Sequence, residues 1–473
     1  MTTVGQPAPG ERRPRAARER LCLAVDLGTT GLEVGLVSFT GRVAWSEQVG
    51  LRTVQLSDGT AEQDAEAWWD AVLGTARRAV SEVDPGRRHL DAVGLTGQWA
   101  STAPVDGQGR PVAAYVMWMD TRGRRHARRA FGGVLTGCSP AVAVSWIRRN
   151  GIPPSLSGDD SLGNFLHLES DRREVADAAR WYLEPVDYLA MRLCGAASAT
   201  PASMTASWLV DTRNGDATHD PKLLRRSGID PTELPPLVPT GPVVAGVLPE
   251  VAAVLDIRAG TPVVSGVPDL HSAGAGAGAV GMHQAHLAIS TTSWISCPPP
   301  RKRTDLIHQL ATVPGLTPDG YLLVDNQDNA GRCVEWFRDA LGGSATFEEL
   351  FALAGTAAPG SSGVILTPWL SAERSPVADR DVRGGSHHFG LGDGPALLAG
   401  VVVGTHRLAD LASLVRLERE LRPDPTSRAL HDRRAAELPA SSGRSGLSPP
   451  ASAIPTPEGP ASAQALLPLR SKR

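Results

Sequence analysis

Lysine is scarce in this chain of 473 residues, occurring only at Lys222, Lys302 and Lys472. None of the three lies in a glycine-rich loop, which excludes a GxxxxGK phosphate loop and argues against a lysine Schiff base. Cysteine is sparse too. Cys22, Cys138, Cys194, Cys297 and Cys333 are far apart, odd in number and form no CxxC pair, so they read as buried thiols of a reducing cytosol. No apolar run reaches membrane length. The arginine-rich start through Arg20 precedes only the short run Leu21 to Val25, so residues 1–20 are expected to form a flexible arm, with no signal peptide and no membrane partner. An excess of basic charge is missing as well. A formal net charge of -3 gives no field for a phosphate backbone, which argues against nucleic acid and leaves small molecules as the default ligands.

What is present suits a soluble, cytoplasmic protein of two globular domains, with 41% hydrophobic and 21% charged residues. Residues 21–50 contain three strand-like runs, LCLAVDL, LEVGLVSF and GRVAWSEQV, joined by the turns Gly28-Thr29-Thr30-Gly31 and Thr40-Gly41. Asp64 to Val83 carries Trp68, Trp69, Val72, Leu73 and Ala76 at helical spacing. The strand-like DAVGLTGQ and the helical TRGRRHARRAF follow. Strands alternating with helices predict an α/β domain. Farther on, TPVVSGVPD leads into a run rich in glycine and alanine, and HLAISTTSWISC reads as a second strand, hydroxyl-rich turn and strand. Two such hairpins fit either an internal duplication with a cleft between the halves or two unrelated turns. Residues 437–473 are rich in Pro, Ser, Ala and Gly and are expected to be a disordered tail.

The chemistry gathers in ordered motifs. Asp26 ends an apolar run just before Gly28-Thr29-Thr30-Gly31, a pattern in which backbone N–H groups and hydroxyls face phosphate while the carboxylate holds a metal. An ordinary turn would look similar. Gln98 offers both donor and acceptor, and Asp120 and Arg122 could position hydroxyls, although alone they read as a helix cap and a surface charge. Asp269 precedes a helical run and is either a base or a cap.

DLGTTG resembles the first phosphate motif of the sugar kinase, hsp70 and actin fold. Further segments narrow the resemblance to the FGGY family of carbohydrate kinases, in its xylulokinase-like branch: Ala61-Glu62-Gln63-Asp64 before Trp68-Trp69, Gly94-Leu95-Thr96-Gly97-Gln98, Trp118-Met119-Asp120-Thr121-Arg122, Val267-Pro268-Asp269 and Ser290-Thr291-Thr292-Ser293-Trp294-Ile295. Asp325 to Gly331, Leu366 to Leu370, Glu373 to Pro376 and Arg383 to Gly385 continue the match. The resemblance implies duplicated ribonuclease H-like (actin-like ATPase) α/β domains around a central cleft: a sugar-binding domain at 21–256 and a nucleotide-binding domain at 257–436. It implies ATP and Mg2+ as cofactors, Asp269 as catalytic base and Asp26 at the metal. Gly28, Thr29, Thr30, Thr291, Thr292 and Asn329 fall on the nucleotide side, and Gln98, Trp99, Asp120, Arg122 and Asp269 around the sugar. The implied partners are a small sugar or polyol and ATP, with a homodimer as the assembly left open.

The pattern also departs from the family. Ser290 replaces a usual glycine, and Glu33 stands where a basic residue is common. After Gly390-Leu391 the chain passes directly to Gly394-Pro395, so an adenosine-binding segment is expected to be missing near 391–394 and the second domain to be incomplete. Gln98 is followed by Trp99-Ala100, which lacks the Arg-Glu pair of glycerol-type members and the Met-His of xylulose-type ones. A ketopentose such as xylulose is the expected substrate, with an inactive sugar-binding protein or a vestigial pseudokinase as the alternatives.

Overall fold

The computed structural model describes residues 19–83, 90–133, 138–213, 218–289, 292–305, 310–327, 329–340, 345–357, 361, 364–370 and 382–387. The expected arm at 1–20 falls outside them except for Glu19 and Arg20, and the expected gap near 391–394 and the tail at 437–473 lie outside them altogether. No helix among the described residues is long and apolar enough to cross a membrane.

Strands β1 (Leu21–Leu27), β2 (Gly31–Ser38) and β3 (Val43–Gly50) form the expected antiparallel meander. In β1 the period-two alternation sends Leu21, Leu23, Val25 and Leu27 into the core and turns Cys22, Ala24 and Asp26 to the other face. Helix α1 (Ala65–Val83) then crosses the core face, and β4 (Leu90–Gly97) returns parallel to β1. Three strands close the far side: β5 (Val243–Gly246), β6 (Pro262–Val264) and β7 (Val267–Pro268). The sheet order is β5-β6-β4-β1-β2-β3, with β7 also pairing with β4.

The boundary expected at 256/257 therefore needs correction. β6 and β7 pair in parallel with β4, so the first sheet continues to Pro268. The run TPVVSGVPD is an apolar partner of a central strand, and the register places Val263 opposite Val93 and Val267 opposite Thr96.

One face of this sheet is sealed by α1, α2 (Pro185–Cys194) and α3 (Pro249–Leu255), whose apolar residues join those of β1, β2 and β4 in a single core. Trp68 is its largest fully buried side chain, edge-on to Tyr115 at 4.2 Å and to Tyr188 at 6.3 Å between ring centroids. A second core lies within the segment between β4 and β5, where Phe165 stacks on Tyr182 and Phe131 meets Trp146 edge-on.

The second lobe begins with α4 (Asp269–Gly276) and continues into a four-stranded antiparallel sheet. Its strands are β8 (His286–Ile289), β9 (Ser293–Cys297), β10 (Ala311–Pro314) and β11 (Tyr321–Gln327), in the order β8-β9-β11-β10. A small cluster of Cys333, Val334, Phe337 and Leu350 packs helices Gly331–Ala340 and Phe347–Ala354 together.

Within the second lobe, His271 Nε2 donates to the Pro314 carbonyl at 2.8 Å, and burial lowers its pKa to about 4, which keeps the ring neutral. Polar contacts also tie the lobes to each other. Lys302 Nζ donates to the Asn150 carbonyl at 2.7 Å, and Thr304 Oγ1 to that of Gly151 at 3.0 Å.

Two substitutions test this packing. Trp68→Ala removes the core's largest fully buried side chain and is expected to cost about 3–5 kcal/mol in chemical denaturation. At Gly97 an added Cβ would lie 2.7 Å from the Leu27 carbonyl oxygen, where only backbone movement could make room. Gly97→Ala is therefore expected to cost about 1–3 kcal/mol, read as a lower denaturation midpoint.

Candidate active site

Sheet register assembles the site from distant parts of the chain. Asp26 lies opposite Thr96 in β4, and Thr96 lies opposite Val267 in β7. The next row is Leu27, Gly97 and Pro268. Just beyond that row stand Gln98 on one strand and Asp269 on the other. The Gln98 N–H donates to the Leu27 carbonyl at 2.7 Å, and the Thr96 hydroxyl donates to the Val267 carbonyl at 3.0 Å.

A cleft of about 660 Å³ opens beside these strand ends, with Gln98 and Trp99 from the first half and Asp269, Thr292, Trp294 and Asn326 from the second. Gln98 is 3% exposed. Its Nε2 lies 3.3 Å from Gln63 Oε1, while its own Oε1 has no hydrogen-bond partner among the described residues. An orphaned buried acceptor at a cleft wall suits a ligand hydroxyl. Trp99 is held by its indole N–H, which donates to the Ser203 carbonyl at 2.7 Å, and Ala100 beside it has a φ of 62°.

Asp269 is the first helical residue of α4, with Pro268 in the cap position. Its Oδ1 accepts the Leu270 N–H at 2.7 Å. Burial, with Asp26 nearby, pushes its pKa up to about 6 despite that bond. Asp26 lines a separate recess of about 330 Å³ with Glu33, Thr96 and Ser272. Its carboxyl is also pushed up, first by burial and then by Glu33, directly across the β1–β2 ladder. Glu33 therefore shares the face of Asp26. Two facing carboxylates would be relieved by a cation, so the donor set fits a hard divalent ion.

The other expected site residues divide. In the first hairpin Gly28, Thr29 and Thr30 form the β1–β2 turn; the Thr29 carbonyl accepts from Gln63 Nε2 at 2.7 Å and its hydroxyl from the Trp118 indole at 3.2 Å. Thr292 lines the cleft, and Asn329 is buried just ahead of helix Gly331–Ala340. Thr291 lies outside the described residues.

Asp120 and Arg122 do not line the cleft. Asp120 is fully buried and accepts the Ala61 N–H at 2.8 Å and the Arg122 N–H at 2.9 Å. The Arg122 guanidinium bridges Asp120 and Glu62, at 2.8 and 2.5 Å. Nor does Asp120 cap the next helix, which has Gly123 at its cap position. The pair braces strand Ala61–Gln63 against the segment carrying Trp118.

Sequence reasoning missed Asp159, Asp160 and Trp208, all of which line the cleft. Asp160 caps helix Ser161–Asp171 through the Gly163 N–H at 2.7 Å, and its Oδ2 accepts from the Trp208 indole and, at 3.3 Å, from the Ser155 N–H. Burial dominates its pKa, which rises to about 7. The one sequence signal was an Asp before a helical run, which is indistinguishable from any cap.

A family model described as "FGGY family of carbohydrate kinases, N-terminal domain" matches residues 21–152 and 160–276. The gluconokinase of Bacillus subtilis is 26% identical over 379 residues, covering 78% of this chain and 71% of the relative. A xylulose kinase of Streptomyces coelicolor is 31% identical over 265 residues, covering 56% and 51%. Among solved structures, a ligand-bound xylulose kinase from Lactobacillus acidophilus matches with a TM-score of 0.72 at 21% identity, over 85% of this chain and 79% of that one. Plasmodium falciparum glycerol kinase with ADP matches with a TM-score of 0.70 at 16% identity, over 85% and 80%. The α/β architecture is that of the FGGY kinases, with their actin-like ATPase fold, and the chain belongs to the FGGY family of carbohydrate kinases.

Proposed function

We propose that the protein transfers the γ-phosphoryl group of ATP to a hydroxyl of a small sugar or polyol, a ketopentose such as xylulose. The observation that carries this is Asp269: a carboxyl poised near neutrality, on the cleft wall one strand away from the orphaned Gln98 acceptor. Gln98 Oε1 accepts one substrate hydroxyl and so orients the sugar, while the faces of Trp99 and Trp118 bound its apolar side. The Asp269 carboxylate accepts the proton of the attacking hydroxyl. That oxygen forms a bond to the γ-phosphorus as the bond from phosphorus to the β–γ bridging oxygen breaks, and ADP leaves with the electron pair. Asp26, with the hydroxyls of the first hairpin, would hold Mg2+, which supplies neutralisation of the charge developing on the phosphate oxygens. Asp120 and Arg122 act in this scheme by positioning the wall rather than by touching the sugar.

A second reading, a sugar-binding protein without transfer, is favoured by one feature. Glu33 places a second carboxylate across from Asp26, where the first hairpin would receive phosphate. Calorimetric titration separates the two: MgATP binding supports transfer, and D-xylulose binding without MgATP binding supports the second reading.

Ionised Asp269 is the working form, so kcat/KM for D-xylulose is expected to fall as pH drops through about 6. Asp269→Asn is expected to lower kcat by about 10²–10⁴ in an ADP-release assay. An Asp269→Asn enzyme with intact turnover, or a flat acid limb, rejects Asp269 as the base.

A further inference from the structure

Trp99 and Ala100 both line the cleft, directly after the orphaned acceptor of Gln98. Ala100 has a φ of 62°, a left-handed conformation that a residue with a Cβ rarely adopts and that persists only where its surroundings hold it. We infer that Glu184 holds this turn and thereby fixes the Trp99 face against which the sugar lies. Glu184 is absent from the cleft wall and acts through Trp99, so it is a positioning residue. The inference rests on the sugar-kinase reading and deepens it by naming a residue that sets sugar affinity from behind the wall.

Glu184 stands immediately before α2, at the place where a side chain commonly caps a helix, yet its side chain makes no capping bond. The carboxyl serves the Trp99 turn instead. Its Oε2 accepts the Ser101 N–H at 3.2 Å, one residue past Ala100, and the Ala100 N–H is a further donor to the same carboxyl. Its Oε1 accepts from the Ser161 hydroxyl, at the start of helix Ser161–Asp171, whose Leu162 and Phe165 belong to the second core. One oxygen is thus fixed to rigid packing and the other to a left-handed turn. Glu184 is 1% exposed, so any partner it lost would be left unpaired.

Two more bonds carry this restraint to the ring. The Ser101 hydroxyl donates to the Trp99 carbonyl at 3.3 Å, and the Trp99 indole N–H donates to the Ser203 carbonyl at 2.7 Å. Backbone and ring are therefore held from opposite ends. Burial, with Asp187 adding to it, pushes the Glu184 carboxyl well above the usual carboxylate range despite its donors. A neutral carboxyl is well matched by glutamine, which keeps a carbonyl for the turn and offers an NH2 group to the Ser161 oxygen. Leucine fills a similar volume and offers neither.

The test is calorimetric titration of the full-length chain with D-xylulose, without nucleotide, for Glu184→Leu and Glu184→Gln, each alone and on a Trp99→Ala background. Glu184→Leu is expected to weaken D-xylulose by about tenfold, whereas Glu184→Gln stays within about threefold of the unsubstituted chain. On the Trp99→Ala background Glu184→Leu is expected to add less than about twofold, because its effect runs through the missing ring. Equal weakening on both backgrounds, or Glu184→Gln as weak as Glu184→Leu, overturns the inference. Should Glu184→Leu fail to fold, Glu184→Asp draws the carboxyl back by one methylene and carries the same expectation. A second readout needs no ligand: acrylamide quenching of the Trp99 emission, isolated by comparison with Trp99→Phe in each chain. Stronger quenching is expected in Glu184→Leu and not in Glu184→Gln, and Trp99 quenching unchanged in Glu184→Leu overturns the inference. An unsubstituted chain that binds no D-xylulose rejects the sugar-kinase reading and the affinity role of Glu184 with it, while quenching still decides whether Glu184 holds Trp99.

Discussion

The parallel pairing of Leu90–Gly97 with Leu21–Leu27 on one side and with Pro262–Pro268 on the other is the constraint on which the site depends. It brings Asp26, Gln98 and Asp269 to neighbouring strand ends, although well over two hundred residues of chain lie between the first and the last. Parallel strands need crossovers, and both crossovers here carry large structure: α1 for the first, the whole second core for the second. The close approach at Gly97 matters for the same reason. A side chain there would push the Leu27 carbonyl away and with it the bond that fixes Gln98.

Behind the cleft, electrostatics serves construction. Arg122 lies between Asp120 and Glu62, and Asp120 also takes two backbone N–H groups, so a fully buried carboxylate is surrounded by donors. Such an arrangement gains little over apolar packing, but it is severe toward loss of either partner. The energy it holds is spent on geometry, since it joins strand Ala61–Gln63 to the loop of Trp118, and Gln63 in turn contacts Gln98, Thr29 and Trp68.

Much of this was legible from local pattern. The alternation in LCLAVDL and the helical spacing of Trp68, Trp69, Val72 and Ala76 each describe one element against one core, and sequence expresses that directly. The place of Asp269 and Gln98 at strand ends was legible because short motifs mark such ends. The domain boundary was not legible, because a short apolar run such as TPVVSGVP looks the same whether it opens a new sheet or completes an old one. Asp120 was read as facing the ligand because a motif names a residue and its neighbours without saying which way it points. Asp160 and Trp208 stayed hidden for a related reason: they meet only after folding, 48 residues apart, in a stretch with no periodicity.

The Lys302 joint between the lobes behaves unlike an ion pair. Its amine donates to a carbonyl and a hydroxyl, and burial outweighs the nearby Asp211 carboxylate and brings its pKa down to about 8. Unfolded, the same amine would hold its proton to about 10.4. Between those values the folded chain binds fewer protons than the unfolded one, so by linkage this residue's contribution to stability rises with alkalinity. The seam between the halves is thus proton-linked with the sign opposite to that of a lysine held by a carboxylate: alkali relieves it.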